Sequence, residues 1–135
     1  MDLVDILNVI SRLPDHAQNP RNHGPLNNFN GHARITGPCG DTMEFWLSAI
    51  DDKVVQIGFT TTGCGASLAC GSMTTCMAKG KSIKDVLDLQ QKDVLEALGG
   101  VPKESEHCAL LSTNTLKAAC EDYLNNIKGG EKKNI

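Results

Sequence analysis

The sequence has few aromatic side chains and no excess of positive charge. Its 135 residues include one Trp, one Tyr and three Phe, and the formal net charge is -3 with a pI near 5.7. Proteins that bind nucleic acids need a cationic surface for the phosphates, and those that bind single strands also stack bases on aromatic rings. Nucleic acid is therefore not an expected partner.

The sequence also lacks a long apolar run. No stretch approaches the roughly 20 apolar residues that a membrane-spanning helix needs. The acidic residues Asp2 and Asp5 precede the first basic residue, Arg12, which is unlike a secretory or transit peptide. We expect no membrane partner and a cytoplasmic location. With 40% hydrophobic and 21% charged residues, the chain has the composition and size of one domain.

Changes of apolar periodicity divide the first half of the chain. Helical spacing predicts a short amphipathic helix over Asp2–Leu13, ended by Pro14, and the turn-forming residues of 14–31 predict an ordered loop. From Ala33 the period becomes two, which is typical of strands. We predict three antiparallel strands with an acidic turn, Asp51-Asp52-Lys53, before the last one; the strands lie near 32–37, 42–50 and 54–61.

The second half of the chain is predicted to be helical. One helix follows Gly65 and ends at Gly80, and Ser82 caps the next, with Asp85 three residues on. Apolar spacing and helix breakers place the remaining helices, which cover 83–87, 92–98 and 106–127. We expect one domain over residues 1–128 and a flexible tail over 129–135, which is rich in Gly, Lys and Asn.

Three of the six cysteines lie at turns or helix starts. Cys39 lies in the turn Pro38-Cys39-Gly40-Asp41, Cys64 precedes a helix, and Cys108 follows His107 in the first turn of another. Exposed amides and the helix dipole are expected to lower the pKa of the Cys64 and Cys108 thiols. These positions and their glycine neighbours also argue against burial. Under reducing conditions, such cysteines favour thiolate chemistry or metal binding over disulfides.

A metal site follows if these segments converge. Three thiolates would then meet Asp41 and His107, a sulfur-rich donor set that selects zinc or an iron-sulfur cluster. The spacings, 25 positions from Cys39 to Cys64 and 44 from there to Cys108, match no zinc ribbon or ferredoxin pattern. Tertiary folding must therefore build the site.

The other candidate ligands have simpler interpretations. Cys120 lies on the apolar stripe of the last helix, and core packing is also predicted for Cys70 and Cys76, which are about 120° apart around their helix. Met73 and Met77 are predicted to fill the core, and Trp46 to lie on the exposed face of a strand. Surface or loop-bracing roles are predicted for the remaining histidines, which are His16, His23 and His32.

Five short motifs occur in an order that resembles one known family. They are Asp15-His16-Ala17-Gln18-Asn19-Pro20-Arg21-Asn22-His23-Gly24, Cys39-Gly40-Asp41, Thr62-Gly63-Cys64-Gly65, Lys79-Gly80-Lys81 and His107-Cys108. Over most of its length the chain is similar to the iron-sulfur cluster assembly scaffolds of the IscU type, which also form the N-terminal domain of NifU. The resemblance implies an α+β fold in which a three-stranded antiparallel sheet packs against about four to five helices in a single domain.

The resemblance also implies roles for the site residues. Cys39, Cys64 and Cys108 would ligate a [2Fe-2S] cluster, Asp41 would keep it labile or take a ligand position, and His107 would be an alternative fourth ligand. Cys108 would accept persulfide sulfur from a cysteine desulfurase, with an iron donor and an electron donor supplying the rest. Apo iron-sulfur proteins would receive the cluster. Such a protein is a scaffold and carrier rather than an enzyme, and is a monomer or a homodimer.

The chain departs from the family pattern in two segments. Where the family has Leu-Pro-Pro-Val-Lys before the His-Cys pair, this chain has Val101-Pro102-Lys103-Glu104-Ser105, so assistance from an Hsp70-type chaperone is doubtful. Ala17 stands where an aromatic residue is usual, and the N-terminal helix has an extra turn. These differences favour a NifU-like bacterial variant.

Two other functions would use the same ligands. In a zinc-dependent persulfide sulfurtransferase of the SufU type, the site holds Zn²⁺ and one cysteine shuttles sulfur. That type carries an insertion between its second and third cysteines, whereas Cys64 and Cys108 are as close here as in ordinary scaffolds. The third possibility is a structural zinc domain, against which Asp41 argues, because closed structural zinc sites favour Cys and His.

Overall fold

The computed structural model describes residues 12–133, which form three strands and five α-helices. The elements in chain order are α1 (Leu13–Gln18), β1 (Gly31–Thr36), β2 (Thr42–Ile50), β3 (Lys53–Thr61), α2 (Gly65–Ala78), α3 (Ile83–Leu87), α4 (Gln91–Leu98) and α5 (Glu106–Lys133). A short 3-10 turn, Lys103–Ser105, precedes α5. The predicted α+β class and single small domain are confirmed.

The three strands form an antiparallel sheet in the order β1-β2-β3. The period of two in β2 sends one set of side chains into the core, namely Met43, Phe45, Leu47 and Ala49. At the β2–β3 hairpin, Asp51 and Asp52 have φ values of 52° and 61°. Tight hairpin turns need positive φ at such positions, and Asp tolerates it. The acidic turn is thus a structural feature, as predicted.

Helices cover one face of this sheet and build two buried regions. The first lies between the sheet and the long helix α5 and includes Phe45, Phe59 and Leu116. The second lies among α2, α4 and the start of α5 and includes Val94 and Leu98. It also contains two cysteine side chains, those of Cys70 and Cys108. The second region supports the end of the molecule where the candidate site lies.

The segment before the sheet differs from the prediction. The helix expected over Asp2–Leu13 lies outside the described residues except at its end, and Pro14 lies in the first turn of α1 rather than ending a helix. Proline fits there because the first turn needs no N–H donor. The rest of the segment is ordered against β3: the N–H of Gly24 donates to the carbonyl of Phe59 at 2.7 Å, and the N–H of Phe59 to the carbonyl of Asn22 at 3.0 Å.

The helix boundaries after the sheet follow the predicted signals, with one exception. Gly80 follows α2 with a φ of +84°, and the Ser82 hydroxyl accepts a hydrogen bond from the N–H of Asp85 at 3.1 Å at the start of α3. Helix α5, however, extends to Lys133 rather than ending near residue 127. Gly129-Gly130 is followed by Glu and Lys residues, which are good helix formers, so local preference does not stop the helix there. Among the described residues, no helix combines the length and apolarity that crossing a membrane requires.

Candidate metal centre

Three potential ligand atoms meet at one end of the sheet. Cys39, Asp41 and His107 each offer one donor atom, and these atoms lie within 4.8 Å of one another. Cys39 and His107 are exposed and Asp41 is half-buried, so an ion can reach all three from solvent. The donors are a sulfur, a carboxylate oxygen and an imidazole nitrogen.

The turn between β1 and β2 holds two of these donors. The N–H of Gly37 donates to the carbonyl of Asp41 at 2.8 Å, and the N–H of Gly40 donates to the carbonyl of Gly37 at 3.0 Å. Gly40 has a φ of +92°, a conformation that glycine adopts without steric cost. The Cys39 thiol lies 3.7 Å from Oδ2 of Asp41. The turn therefore presents a thiol and a carboxylate side by side at the end of the sheet.

The start of α5 supplies His107 and, behind it, Cys108. The sulfur of Cys108 lies 3.7 Å from Nε2 of His107 and 3.2 Å from the hydroxyl of Ser67 on α2. Cys108 is buried, with only 4% of its surface exposed. The prediction that a helix-start position leaves this thiol exposed is wrong, because α2 and α4 pack over the first turn of α5 and cover it.

The pKa of the Cys108 thiol is raised, not lowered as the sequence predicts. Burial is the largest cause, and the negative charges of Asp41, Cys39 and Cys64 raise it further, while the hydrogen bond with Ser67 lowers it. The prediction considered the helix dipole and missed the desolvation, which disfavours a thiolate more strongly. A bare Cys108 therefore holds its proton, and a bound cation would favour its release.

Cys64 approaches the site from the loop before α2. It is exposed and immediately precedes the first residue of that helix. A Cβ on the neighbouring Gly63 would collide with the Ser67 side chain and lie 2.9 Å from Oδ2 of Asp41. The loop thus passes directly over these two side chains, which only glycine permits. Cys64 is not in the group of three donors within 4.8 Å, but its charge acts on Cys108.

Ser67 is a site residue that the sequence reasoning missed. It is 1% exposed and bonds the buried Cys108 sulfur. Its position three residues after Cys64, on the same side of α2, was the available signal.

The other three cysteines differ in burial. Burial raises the pKa of Cys70 and of Cys120 to about 12 each, which agrees with their predicted core positions. Cys76 is exposed, so its predicted core position is wrong.

The remaining histidines do not join the site. His16 is buried, with Nδ1 2.6 Å from the Ser72 hydroxyl, and burial lowers its pKa; it braces α1 against α2. His23 lies beside Phe59 with ring centroids 5.3 Å apart. His32 is in β1 and bonds Glu44 on β2.

Two further packing predictions are partly confirmed. Met73 is buried with 5% of its surface exposed, and Met77 packs against the same buried region while remaining partly exposed. Trp46 is half-buried rather than fully on an exposed face, with its ring centroid 5.5 Å from that of His32.

The charges around the site favour a bound cation. Within residues 12–127 the ion pairs join Arg21 to Asp15 and His32 to Glu44, so Asp41 takes part in neither. The thiolates and the Asp41 carboxylate repel one another once ionised, and a bound cation removes that repulsion. Sulfur and nitrogen donors suit zinc and iron rather than magnesium or calcium. The donor set therefore fits iron with sulfide as well as zinc.

Comparison with known proteins points to one family. The family model of the NifU-like N terminal domain matches residues 10–129. The iron-sulfur cluster assembly scaffold protein IscU 1 of Archaeoglobus fulgidus is 43% identical over 110 residues, which are 81% of this chain and 72% of that protein. The scaffold protein IscU of Escherichia coli K12 is 34% identical over 114 residues, which are 81% of this chain and 88% of that protein.

A solved structure shares the fold. The crystal structure of a putative iron-sulfur cluster assembly scaffold protein for the SUF system, from Fervidobacterium islandicum AW-1, matches with a TM-score of 0.65. The match covers 80% of this chain and 93% of that chain at 20% sequence identity. At that identity the likeness is one of fold alone.

Proposed function

The chain belongs to the family of NifU-like N-terminal domains, and from this membership we propose that it is a scaffold for assembling a [2Fe-2S] cluster and passing it to apo-proteins. The observation that carries the proposal is the meeting of Cys39, Asp41 and His107 within 4.8 Å, with the Cys108 sulfur 3.7 Å from His107. The protein acts as a carrier rather than an enzyme, because iron, sulfur and electrons all come from partners.

The thiols of Cys39, Cys64 and Cys108 are the proposed cluster ligands, since cysteine thiolates are the usual ligands of iron-sulfur clusters. Asp41 or His107 completes the ligand shell. Three thiolates and one oxygen or nitrogen donor leave a weaker position, which the thiolate of an incoming apo-protein can attack. A shell of this kind suits assembly followed by release.

Cys108 is the proposed acceptor of sulfur, and its burial sets a condition on the transfer. The Cys108 thiol is 4% exposed, so a desulfurase can reach it only if the side chains that cover it move when the two proteins meet. Ser67 on α2 and the adjacent His107 contact the Cys108 sulfur. Burial in turn shields a persulfide on Cys108 from thiols in solution. The proposed partners are a cysteine desulfurase, an iron donor, an electron donor and apo iron-sulfur proteins.

Cysteine substitutions under anaerobic reconstitution test the ligand set. Wild type and Cys→Ala variants at 39, 64 and 108 are incubated with iron and sulfide, and visible absorption and bound iron are measured. Cys76→Ala is the matched control, because Cys76 is exposed on the same helix that Cys64 precedes. We expect wild type and the control to gain the same coloured cluster and the three site variants to lose most of it. Site variants that bind as much cluster as Cys76→Ala would rule out this ligand set.

A further inference from the structure

A second buried thiol, that of Cys70, belongs to the same buried region as Cys108. Helix α2 turns Ser67, Cys70 and Thr74 toward the start of α5. The Ser67 hydroxyl is 3.2 Å from the Cys108 sulfur. One turn further along α5, the Ser112 hydroxyl donates to the carbonyl of Cys70 at 3.3 Å and to Thr74 Oγ1 at 2.8 Å. Cys70 therefore lies between two points at which these helices touch.

The side-chain direction brings the Cys70 thiol toward Cys108. Side chains on a helix lean toward its N-terminus, and for Cys70 that direction leads to Ser67 and its contact with the Cys108 sulfur. Both cysteines belong to the same buried region, which includes Ala69 and Ala109. Burial raises the pKa of Cys70 to about 12, and the charge of Cys108 adds to the rise. The two cysteines therefore lie on the faces along which α2 and α5 pack together.

The site proposed above needs sulfide, whereas a persulfide delivers sulfur that must still be reduced by two electrons. We propose that Cys70 is an internal resolving thiol that releases sulfide from a persulfide on Cys108. This inference rests on the scaffold function, since it takes Cys108 as the sulfur acceptor. It gives a chemical role to a buried cysteine that the cluster ligand set does not use.

The reaction is a thiol–disulfide exchange with a persulfide as the oxidant. The Cys70 sulfur attacks the inner sulfur of the persulfide, the Sγ of Cys108, and an S–S bond forms between the two residues. The bond from that Sγ to the outer sulfur breaks, and both bonding electrons go to the outer sulfur. The outer sulfur leaves with the proton of Cys70 as hydrogen sulfide. An external thiol or the electron donor then reduces the Cys70–Cys108 disulfide for the next cycle.

Burial has opposite effects on the rate and on the equilibrium of this step. A thiol with a pKa near 12 contains little thiolate at neutral pH, so the attack is slow compared with that of an exposed thiol. The disulfide product carries no charge, so the desolvation that disfavours a thiolate does not disfavour it. Sulfide is also released beside Cys39 and Asp41, where iron is proposed to bind, rather than in the solvent.

The test follows sulfide release from protein that carries a persulfide on Cys108. Wild type, Cys70→Ser, Cys70→Ala and Cys120→Ser are loaded anaerobically with a cysteine desulfurase and cysteine, freed of small molecules, and kept without iron or reductant. Released sulfide, intact mass and non-reduced peptides are measured over time. Cys120→Ser is the matched control, because Cys120 is equally buried but belongs to the buried region under the sheet. Circular dichroism checks that both Cys70 variants fold.

We expect wild type and Cys120→Ser to release one sulfide for each persulfide and to gain a Cys70–Cys108 disulfide. Both Cys70 variants should retain the persulfide, with sulfide release at least about tenfold slower. If they release sulfide at the wild-type rate, or if wild type forms no such disulfide, the resolving role is wrong while the scaffold function stands. If Cys108 of wild type takes up no persulfide, its role as sulfur acceptor fails as well, and the resolving role fails with it.

Discussion

Asp41 is the oxygen donor in a site that otherwise offers sulfur and nitrogen. Its carboxylate lies beside Cys39 on one side and under the loop at Gly63 on the other, so it faces any ion that the thiols bind. On iron, a carboxylate is a weaker ligand than a thiolate, and its negative charge adds to the repulsion among the thiolates. From both effects we propose that Asp41 favours release of the cluster.

The Asp41→Ala variant should therefore keep a reconstituted cluster longer than wild type. We expect transfer to an apo-ferredoxin to slow by about tenfold, the lower end of the usual effects of changing groups around a metal. The rate is measured by visible absorption and circular dichroism. Asp88→Ala, which removes an exposed carboxylate after α3, is the control and should transfer as wild type does. Faster loss of the cluster from Asp41→Ala would show that Asp41 holds the cluster instead.

The buried cysteines make the free energy of unfolding depend on pH in the alkaline range. The pKa of Cys120 rises from its ordinary value of 9.0 to about 12 in the folded protein because of burial. Between pH 9 and 12 the unfolded chain loses this proton while the folded chain keeps it, so the free energy of unfolding falls as pH rises. At pH 10 the loss is about 1.4 kcal/mol for each such thiol.

Urea unfolding at pH 7 and pH 10 measures this effect. Cys120→Ala should lose about 1.4 kcal/mol less than wild type between the two pH values, whatever its stability at pH 7. Cys76→Ala should keep the full loss, since Cys76 is exposed and meets water in both states. An unchanged pH dependence in Cys120→Ala would contradict the assigned cause.

For single residues, the sequence predicts which side chains are metal donors better than it predicts how buried they are and what they contact. Cys39, Asp41 and His107 do converge; their turn and helix-start positions made them candidates, and the resemblance to the family assigned their roles. The burial of Cys108 and the contact with Ser67 depend on how α2 crosses α5, which no local pattern records. Cys76 was misplaced for a similar reason: within residues 12–127 its position on α2 is exposed, which helical spacing alone does not reveal.

Helix α2 depends on close contact with the sheet, and Gly71 makes that contact possible. A Cβ at Gly71 would overlap the ring of Phe59 on β3, and both residues are fully buried or nearly so. Gly65, in the first turn of the same helix, has room for a Cβ: its nearest neighbour would be the Ala17 Cβ at 3.6 Å, an ordinary contact distance. The two glycines lie in the same helix, but only Gly71 leaves no room for a Cβ, so they form a matched pair for substitution.

Alanine substitution at the two positions should have different effects on stability. Gly71→Ala should lower the free energy of unfolding by about 2 kcal/mol, because overpacking forces Phe59 or the helix to shift. Gly65→Ala should cause no loss, because alanine favours the helix more than glycine does. Urea unfolding measures both. Equal stabilities of the two variants would mean that α2 can move away from β3 without cost.

At the level of elements, strands were easier to predict than the ends of helices. The strands were predicted to within one residue because one face of the sheet is buried and the pattern of two is regular. Helix α1 was missed because Pro14 starts a helix as readily as it ends one. The end of α5 was missed because the Glu and Lys residues that follow Gly129-Gly130 favour a helix.

The whole fold brings the site together from three separate segments: the β1–β2 turn, the loop before α2 and the start of α5. An ion that binds donors from all three links them only in the folded state. Binding should therefore raise the free energy of unfolding by mass action, by about 2.7 kcal/mol when the free ion is 100 times its dissociation constant.

Thermal unfolding with and without zinc measures this coupling. Zinc should raise the midpoint of wild type and of Cys76→Ala, and excess chelator should reverse the change. Cys39→Ala and His107→Ala should lose most of the shift, because each removes a donor from the group within 4.8 Å. If zinc stabilises all four proteins equally, it binds elsewhere.

The most direct test of the scaffold function combines assembly with transfer. Wild-type protein is incubated anaerobically with ferrous iron, cysteine and a cysteine desulfurase, then reisolated, analysed for iron and zinc, and mixed with an apo-ferredoxin. The scaffold account predicts equal iron and sulfide on the protein, visible absorption from a cluster, and its movement to the ferredoxin. Colourless protein that retains one tightly bound zinc and passes sulfur to a thiol acceptor would contradict the account and identify a sulfurtransferase.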